Sequence, residues 1–201
     1  MYKIFLKRLI DLFFSIVILL IVSPILFLFT IILFFINKGE PFFLQERPGF
    51  KERPFKVIKF RSMNNNKDKN GMLMPDNIRL TPIGRFIRKT SIDELPQLIN
   101  VLKGDMSLVG PRPLLFKYIP LYSEEQKKRY LAKPGISGWA QVNGRNSISW
   151  TEKFKLDVYY VENISMWLDI KILWLTFLKV IMSEGVNQSI DRPMLPFNGK
   201  N

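Results

Sequence analysis

The chain has 201 residues, enough for one domain with a hydrophobic core, and it combines a formal net charge of +13 with 47% hydrophobic residues. It contains no His and no Cys, which excludes His general bases, Ser-His-Asp triads, thiolate nucleophiles, Cys-ligated zinc and disulfide bonds. Any catalysis must therefore use carboxylates, Lys, Arg, Tyr or a hard metal ion.

A long apolar run begins near the N-terminus. Residues 12–36 carry no charged side chain, and as a helix they would measure about 37 Å, more than the roughly 30 Å of bilayer hydrocarbon. Ser23 and Pro24 lie near the middle of the run, where Pro24 cannot donate a hydrogen bond to the carbonyl of Leu20. The Ser23 hydroxyl is a nearby replacement donor. We therefore expect a membrane helix that bends at Ser23 and Pro24.

Basic residues flank this run on both sides. Positive flanks favour the cytoplasmic side of a membrane, so a spanning helix would place one of them on the wrong side, whereas a re-entrant hairpin keeps both in the cytoplasm. The residues alone leave a kinked spanning helix and a re-entrant helix both open. The flanking residues are Lys3, Lys7 and Arg8 before the run, and Lys38, Arg47, Lys51, Arg53 and Lys56 after it.

The remaining chain predicts short helices and a few strands. Residues 42–45 and 54–63 flank the turn signal Arg47-Pro48-Gly49 and predict a β-hairpin, followed by a polar loop. The last predicted helix is apolar over most of its circumference, so it is either a core helix or an interfacial one. The expected fold class is α+β, mostly helical, with an N-terminal membrane helix, one short hairpin and amphipathic interfacial helices. A short basic amphipathic stretch lies over 83–89, and helices are predicted over 95–102, 123–131, 150–160 and 165–182, with an ordered glycine-containing loop over 134–145 and an irregular tail from 187.

The most informative segment surrounds an adjacent Asp and Glu. Ser91 and Glu94 match a helix capping box, and Asp93 as N-cap would place Pro96 in the first helical turn. A carboxylate at a helix N-terminus is kept ionised by the helix dipole, which suits a nucleophile or a magnesium ligand. The segment therefore supports both a plain helix start and a catalytic pair.

Basic residues recur in the short, turn-rich segments around this pair. Singly, each is typical of a solvated surface, but together they suggest a polyanionic ligand such as a diphosphate. Arg112 lies between two prolines, which restrict its backbone. Neither a Walker motif nor a GxGxxG motif occurs. The basic residues are Lys59, Arg61, Arg85, Arg88, Lys89, Arg112 and Arg145.

The chain resembles the bacterial sugar transferase family of monotopic phosphoglycosyl transferases in four motifs that cover nearly its whole length. These are Ser23-Pro24 in the apolar run, KFRSM at 59–63, RKTSIDELPQLINVLKGDMSLVGPRP at 88–113 and KPGISGWAQVNGR at 133–145. The resemblance implies a first helix that re-enters the membrane at Ser23-Pro24. It also implies two parts, a re-entrant membrane helix over 1–37 and one integrated catalytic region over 38–201.

The resemblance further implies transfer of a sugar phosphate from a UDP-sugar to undecaprenyl phosphate, through a covalent aspartyl intermediate, at the cytoplasmic face of the bacterial inner membrane. Asp93 would be the nucleophile and would hold part of a Mg²⁺ ion, while Glu94 would assist as base or metal-site partner. The implied phosphate and nucleotide contacts are Lys59, Arg88, Arg112 and Arg145, with Glu124 and Asp157 as further polar candidates.

Within the family, the sequence is most similar to enzymes that begin bacterial N-linked protein glycosylation. The donor they imply is UDP-N,N'-diacetylbacillosamine, and the partners they imply are the lipid bilayer and downstream glycosyltransferases of the same pathway. Nucleic acid is not an expected partner.

Two other classes of function stay open on the residues alone. A non-catalytic, membrane-anchored module that binds anionic lipid or nucleic acid would explain the apolar run and the net charge, but it leaves the Asp-Glu pair without a role. A membrane-bound phosphatase acting on a lipid diphosphate would release inorganic phosphate instead of UMP.

Overall fold

The structure is a computed structural model that describes residues 2–144, 147–182, 195–199 and 201. The described residues are mostly helical, with two small sheets, as the expected α+β class requires. The α-helices are α1 (Lys7–Ile36), α2 (Asp76–Arg79), α3 (Pro82–Lys89), α4 (Gln97–Lys103), α5 (Glu124–Lys127), α6 (Trp139–Val142), α7 (Trp150–Glu162) and α8 (Met166–Ile181). The strands are β1 (Phe42–Pro48), β2 (Pro54–Phe60), β3 (Ser107–Val109) and β4 (Gly135–Ser137).

Strands β1 and β2 form the predicted antiparallel hairpin, with Phe42 opposite Phe60. The turn lies later than the sequence signal suggested, because Pro48 still pairs in the ladder. The chain reverses over a 3-10 turn, Phe50–Glu52, which is closed by a hydrogen bond from the Gly49 amide to the Arg53 carbonyl at 2.8 Å. The hairpin thus brings the end of β2 back toward the start of β1.

Strands β3 and β4 form a parallel pair that the sequence did not predict. Each has three residues, too few to show a strand periodicity. The pairing brings two glycines into close backbone contact, because a Cβ on Gly110 would lie 2.2 Å from the Lys133 carbonyl oxygen. A Cβ on Gly135 would lie 2.1 Å from the Gly110 nitrogen. This contact fixes the start of the segment that follows β3.

Most predicted helices occur with small shifts in their bounds. Helix α4 begins two residues later than expected and ends at Gly104, whose φ of 91° terminates it. The helix predicted over 123–131 is α5 followed by a 3-10 turn, Lys128–Leu131. Ser123 and Gln126 form a capping box at the start of α5.

Helix α1 is the one helix among the described residues that is long and apolar enough to cross a membrane. Its helical structure continues through Pro24, and the Ser23 hydroxyl donates to the Leu20 carbonyl at 2.9 Å, as expected for the carbonyl that Pro24 leaves without a partner. Most of its apolar side chains are exposed. Re-entry into the membrane at Ser23 and Pro24 stays a prediction.

The N-terminal end of α1 is attached to β3 and α4 by polar contacts. The buried Asp11 carboxylate accepts hydrogen bonds from the Ser107 hydroxyl at 2.7 Å and from the Leu108 amide at 3.1 Å. The Arg8 guanidinium donates to the carbonyls of Val101 and Leu102 at 2.6 and 2.9 Å. The first turns of α1 are therefore bound to the rest of the chain.

The C-terminal end of α1 contacts the same body. Phe29 and Leu33 are buried in a cluster with Phe60 of β2 and Ile87 of α3. Just after the helix, the side-chain Nδ2 of Asn37 donates to the Arg61 carbonyl at 3.2 Å. Both ends of α1 thus pack against the region that the later helices and strands form.

Helix α8 was expected to be either a core helix or an interfacial one, and it has features of both. Ile172 is fully buried in the main core, whereas Trp167 is 82% exposed. Further exposed apolar side chains on α8 are Met166, Ile170, Trp174, Phe177 and Val180. One side of the helix therefore belongs to the core, and the rest presents an apolar surface next to that of α1.

We expect Gly84→Ala to destabilise the fold by about 1–3 kcal/mol, the usual cost of overpacking a tight contact. A Cβ at Gly84 would lie 1.8 Å from the Ser62 carbonyl oxygen, so α3 would have to move away from β2. Chemical denaturation in detergent measures the change. Lys89→Ala on the exposed side of α3 is the control, and equal effects of the two substitutions would contradict the prediction.

Candidate active site

Asp93 and Glu94 lie in a 3-10 turn, Ile92–Glu94, just before α4. Ser91, which precedes the turn, has a φ of 58°, a strained conformation for a residue other than glycine. The predicted capping box does not form, because the Ser91 side chain makes no capping hydrogen bond. Pro96, not Asp93, occupies the N-cap position of α4. The pair is therefore positioned by a tight turn and its tertiary contacts.

The Glu94 carboxylate is held between two cations from distant parts of the chain. Lys59, near the end of β2, donates to Oε1 at 2.6 Å. Arg112 donates to Oε1 at 2.6 Å and to Oε2 at 3.3 Å. Burial alone would raise the pKa of Glu94, but the charges and hydrogen bonds of Arg112 and Lys59 hold this pKa well below its usual range. Glu94 is therefore ionised and cannot take up a proton near neutral pH.

Asp93 has the opposite electrostatic environment. Its side chain is buried, with 9% of the residue exposed. Burial, with the neighbouring charge of Glu94, raises the pKa of Asp93 to about 6, although the cations of Lys59, Arg88 and Arg112 oppose this shift. Asp93 does not occupy the N-cap position at which a helix dipole was expected to stabilise its charge. At pH 7 most of the population still carries the charge, now desolvated and close to three cations.

Arg88 completes this group from α3. Its Nε donates to the Ser62 hydroxyl at 2.8 Å, just beyond β2, and its charge lowers the pKa of Asp93. The structure thus brings together five of the residues expected at the site, namely Asp93, Glu94, Lys59, Arg88 and Arg112.

Two other predicted contact residues lie elsewhere. Glu124 begins α5, pairs with Lys127 at 2.7 Å and has a side chain that is 90% exposed. Asp157 on α7 is buried and pairs with Arg129 at 2.8 Å, so its carboxylate faces a protein cation. The interpretation of Glu124 and Asp157 as substrate contacts is therefore not supported by their positions, and Arg145 lies outside the described residues.

Two basic residues near Arg112 were not among the sequence-based candidates. Lys153 on α7 lies 4.9 Å from the centre of the Trp150 ring, and burial together with the charge of Arg112 lowers its pKa to about 8. Burial and then the charge of Arg112 also lower the pKa of Arg47 on β1. Only the tertiary fold brings β1 and α7 next to Arg112, so no local sequence pattern indicates that these two residues belong near the site.

The acidic residues at the site could hold a divalent cation only in part. Among the described residues, no group of three acidic side chains converges on one point. The Glu94 oxygens accept hydrogen bonds from Lys59 and Arg112, so, among the residues that the structure describes, Asp93 is the acidic side chain at this site that is left to contact a metal ion. Mg²⁺ often takes one or two protein carboxylates and completes its shell with substrate phosphates and water. The site fits a Mg²⁺ ion that a diphosphate substrate would help to hold.

The geometry suits attack on a phosphoryl group. A partly desolvated carboxylate is a nucleophile, and cations placed around it stabilise charge on phosphoryl oxygens without moving during the reaction. Glu94 holds Lys59 and Arg112 in place before a substrate arrives, near enough to Asp93 for their charges to lower its pKa.

Comparison with known proteins identifies the family. The profile of the family described as bacterial sugar transferase matches residues 2–183. An uncharacterized sugar transferase, EpsL, of Bacillus subtilis is 57% identical over 185 residues, which cover 92% of this chain and 91% of EpsL. The chain belongs to the bacterial sugar transferase family.

Two further relatives carry names that state an activity. A UDP-glucose:undecaprenyl-phosphate glucose-1-phosphate transferase of Klebsiella pneumoniae is 42% identical over 89% of this chain. A UDP-N-acetylgalactosamine-undecaprenyl-phosphate N-acetylgalactosaminephosphotransferase of Aeromonas hydrophila is 37% identical over 90% of this chain. The chain spans 41% and 45% of the length of these two relatives.

We expect Asp93→Asn to stabilise the folded protein by up to about 3 kcal/mol at neutral pH, since the pKa of Asp93 lies about two units above its ordinary value. The folded protein favours the protonated carboxyl, so the contribution of Asp93 to stability is greatest below about pH 4 and is lost as the pH rises through 6. The gain from Asp93→Asn should therefore be small at pH 4 and complete at pH 7.

Denaturant unfolding of both proteins across this pH range measures the gain. Asp76→Asn, at an exposed position on α2, is the control and should show no such pH-dependent gain. Loss of stability in Asp93→Asn at neutral pH would contradict the electrostatic account of the site.

Proposed function

We propose that this bacterial sugar transferase moves a sugar phosphate from a UDP-sugar to undecaprenyl phosphate and releases UMP. The observation that carries the proposal is the buried carboxylate of Asp93 beside Lys59, Arg88 and Arg112, an arrangement suited to a diphosphate. The names of the Klebsiella and Aeromonas relatives support the donor and acceptor classes.

In the first proposed step, an Asp93 oxygen attacks the phosphorus nearest the sugar. A new bond forms between this oxygen and phosphorus, the bond from phosphorus to the bridging oxygen breaks, and the bridging oxygen leaves with UMP. Lys59, Arg88 and Arg112 offset the charge on the diphosphate, which is the main contribution that a protein makes to phosphoryl transfer. The product is an aspartyl phosphate that carries the sugar.

In the second step, an oxygen of the acceptor phosphate attacks the same phosphorus and the Asp93 oxygen leaves. A phosphate monoester has its second pKa near 6, so at neutral pH the acceptor is largely ionised and needs little help from a base. Glu94 is ionised and bound to two cations, which argues against a role as base. We assign Glu94 the role of holding Lys59 and Arg112 at Asp93.

Mg²⁺ belongs to the proposal as a cofactor that Asp93 and the donor diphosphate would hold together. When bound, the ion would neutralise charge on the phosphoryl oxygens. The chain's own residues bind and orient the diphosphate, and the three cations around Asp93 serve this purpose whether or not the ion is bound.

We further propose that α1 re-enters the membrane and leaves on the cytoplasmic side. The support is that Arg8 and Asp11 near one end and Leu33 near the other contact the same body. The far end of a spanning helix would be separated from this body by about 30 Å of hydrocarbon. With the exposed apolar side of α8, α1 would hold the site at the height of the lipid head groups, on the cytoplasmic face of the inner membrane.

The proposed donor sugar is N,N'-diacetylbacillosamine, and the proposed process is the first membrane step of N-linked protein glycosylation, with later glycosyltransferases of that process as partners. The support for both is the motif resemblance alone. The two relatives described above are named for glucose and N-acetylgalactosamine. A donor panel must therefore include these sugars.

The reaction is tested by UMP release from the purified chain in detergent with magnesium, using a panel of UDP-sugars with and without undecaprenyl phosphate. We expect sustained release only with the acceptor, and a drop of at least a thousandfold in Asp93→Asn, because removal of a catalytic nucleophile abolishes its step. Asp76→Asn is the matched control and should retain the parent rate.

Other results would favour the alternative functions. Inorganic phosphate in place of UMP would indicate a phosphatase. An absence of turnover, with nucleic-acid affinity that falls steeply with salt, would indicate a binding module. UMP release by Asp93→Asn at the parent rate would contradict the nucleophile assignment.

The membrane topology is tested by cysteine labelling, for which the chain is well suited because it contains no Cys. Lys3→Cys and Glu40→Cys place a single thiol on either side of α1. If α1 is re-entrant, a membrane-impermeant maleimide added to spheroplasts should label neither thiol, and both should react after the membrane is opened.

Glu125→Cys, at an exposed position on α5, is the control for the cytoplasmic body. A spanning helix would instead leave one of the two α1 flanks accessible in intact spheroplasts, and that result would contradict the proposed topology.

A further inference from the structure

Arg112 lies in an irregular segment without regular secondary structure. The prolines on either side of it have no backbone N–H to donate, and the segment after β3 contains neither helix nor strand. Two backbone hydrogen bonds attach its beginning to β4, from the Gly110 amide to the Ser137 carbonyl at 2.9 Å and from the Gly135 amide to the Pro111 carbonyl at 3.1 Å. These contacts end just before Arg112.

A buried arginine holds Arg112 itself. The Nη2 of Arg129 donates to the main-chain carbonyl of Arg112 at 2.7 Å. The Nη2 and Nε of Arg129 also donate to Asp157 Oδ2, at 2.8 and 3.2 Å. Arg112 is thus held at both ends, with its guanidinium on Glu94 and its carbonyl on Arg129.

The Arg129 side chain is fixed in one orientation. It is 3% exposed, and its Cζ lies 5.7–5.8 Å from the ring centres of Tyr122, Tyr130 and Phe154. The Tyr122 hydroxyl is a further acceptor for Nη1 at 3.4 Å. Three aromatic rings stabilise the cation, and the Asp157 carboxylate sets the direction of its N–H groups.

Stability alone does not explain this buried pair. Desolvation of two charges costs about as much as their attraction returns, and well-packed apolar residues of similar volume are often as stable or more so. Unlike an apolar pair, Arg129 and Asp157 can present an N–H group in a fixed direction to the carbonyl of Arg112. The hydrogen bond to the Arg112 carbonyl is therefore the contact that the ion pair makes and that an apolar pair could not make.

We propose that Arg129, oriented by Asp157, is a positioning residue that sets the place of the Arg112 guanidinium on Glu94 and on the diphosphate. This inference rests on the proposed function, in which Arg112 contacts the donor. It assigns Asp157 an indirect role in place of the substrate contact that the sequence suggested.

The test is a double-mutant cycle on kcat/KM for the best UDP-sugar, with the full chain in detergent. Arg129→Lys keeps the charge but loses the fork of donors, and it should lower kcat/KM at least tenfold when Arg112 is present. In an Arg112→Ala background, the same substitution should change kcat/KM less than twofold, since no guanidinium remains to be misplaced. Equal losses in both backgrounds would overturn the proposal.

A second variant separates positioning from folding. Arg129→Met combined with Asp157→Leu replaces the pair by apolar side chains. The unfolding temperature of this double variant should stay near that of the parent protein, while its kcat/KM should drop as in Arg129→Lys. Parent-like kcat/KM in this double variant would overturn the proposal. Glu125→Gln, at an exposed position on α5, leaves the pair and its surroundings intact, and as the control it should retain the parent kcat/KM.

A binding measurement covers the case in which the proposed function fails. If the parent chain releases no UMP from any donor, the same cycle is measured as the Kd for inorganic pyrophosphate. Loss of affinity on Arg129→Lys only when Arg112 is present would still support the positioning role. Equal or absent effects in the two backgrounds would overturn it.

Discussion

The site depends on one partly buried carboxylate that binds two cations. Glu94 accepts hydrogen bonds from Lys59 at the end of β2 and from Arg112 in the segment after β3, and these contacts join three segments that are distant in the sequence. Because its own oxygens already accept these bonds, Glu94 brings the cations to Asp93 without protonating. The negative charge of Glu94 and the burial of the turn together raise the pKa of Asp93 to about 6. Glu94 thus holds the cations of the site in place, and Asp93 provides a buried carboxylate next to them.

The same arrangement depends on contacts that reach well beyond the site. The parallel pairing of β3 and β4 fixes the backbone before Arg112, and Asp11 of α1 hydrogen-bonds to β3 at Ser107 and Leu108. The exposed apolar helix α1 is therefore attached directly to the strand that leads to Arg112.

Sequence patterns predicted much of this architecture, and the exceptions have physical causes. The hairpin, α7 and α8 follow from local periodicity and from turn or capping residues. The three-residue strands β3 and β4 are too short for any periodicity, and only their tertiary pairing defines them. The capping box at Ser91 does not form, and the Glu94 side chain instead accepts hydrogen bonds from Lys59 and Arg112 of distant segments. The family resemblance implied Asp157 and Glu124 as polar contacts, whereas in the folded chain their carboxylates pair with Arg129 and Lys127.

The most direct test of the account is the intact mass of the protein after brief exposure to the preferred UDP-sugar and magnesium without a lipid acceptor. The account predicts a mass increase of one sugar phosphate, located by peptide mapping on the peptide that contains Asp93 and lost when undecaprenyl phosphate is added. The adduct should not form in Asp93→Asn. UMP release with the acceptor, but without any such adduct in its absence, would indicate direct transfer between the two substrates and would contradict the central role of Asp93.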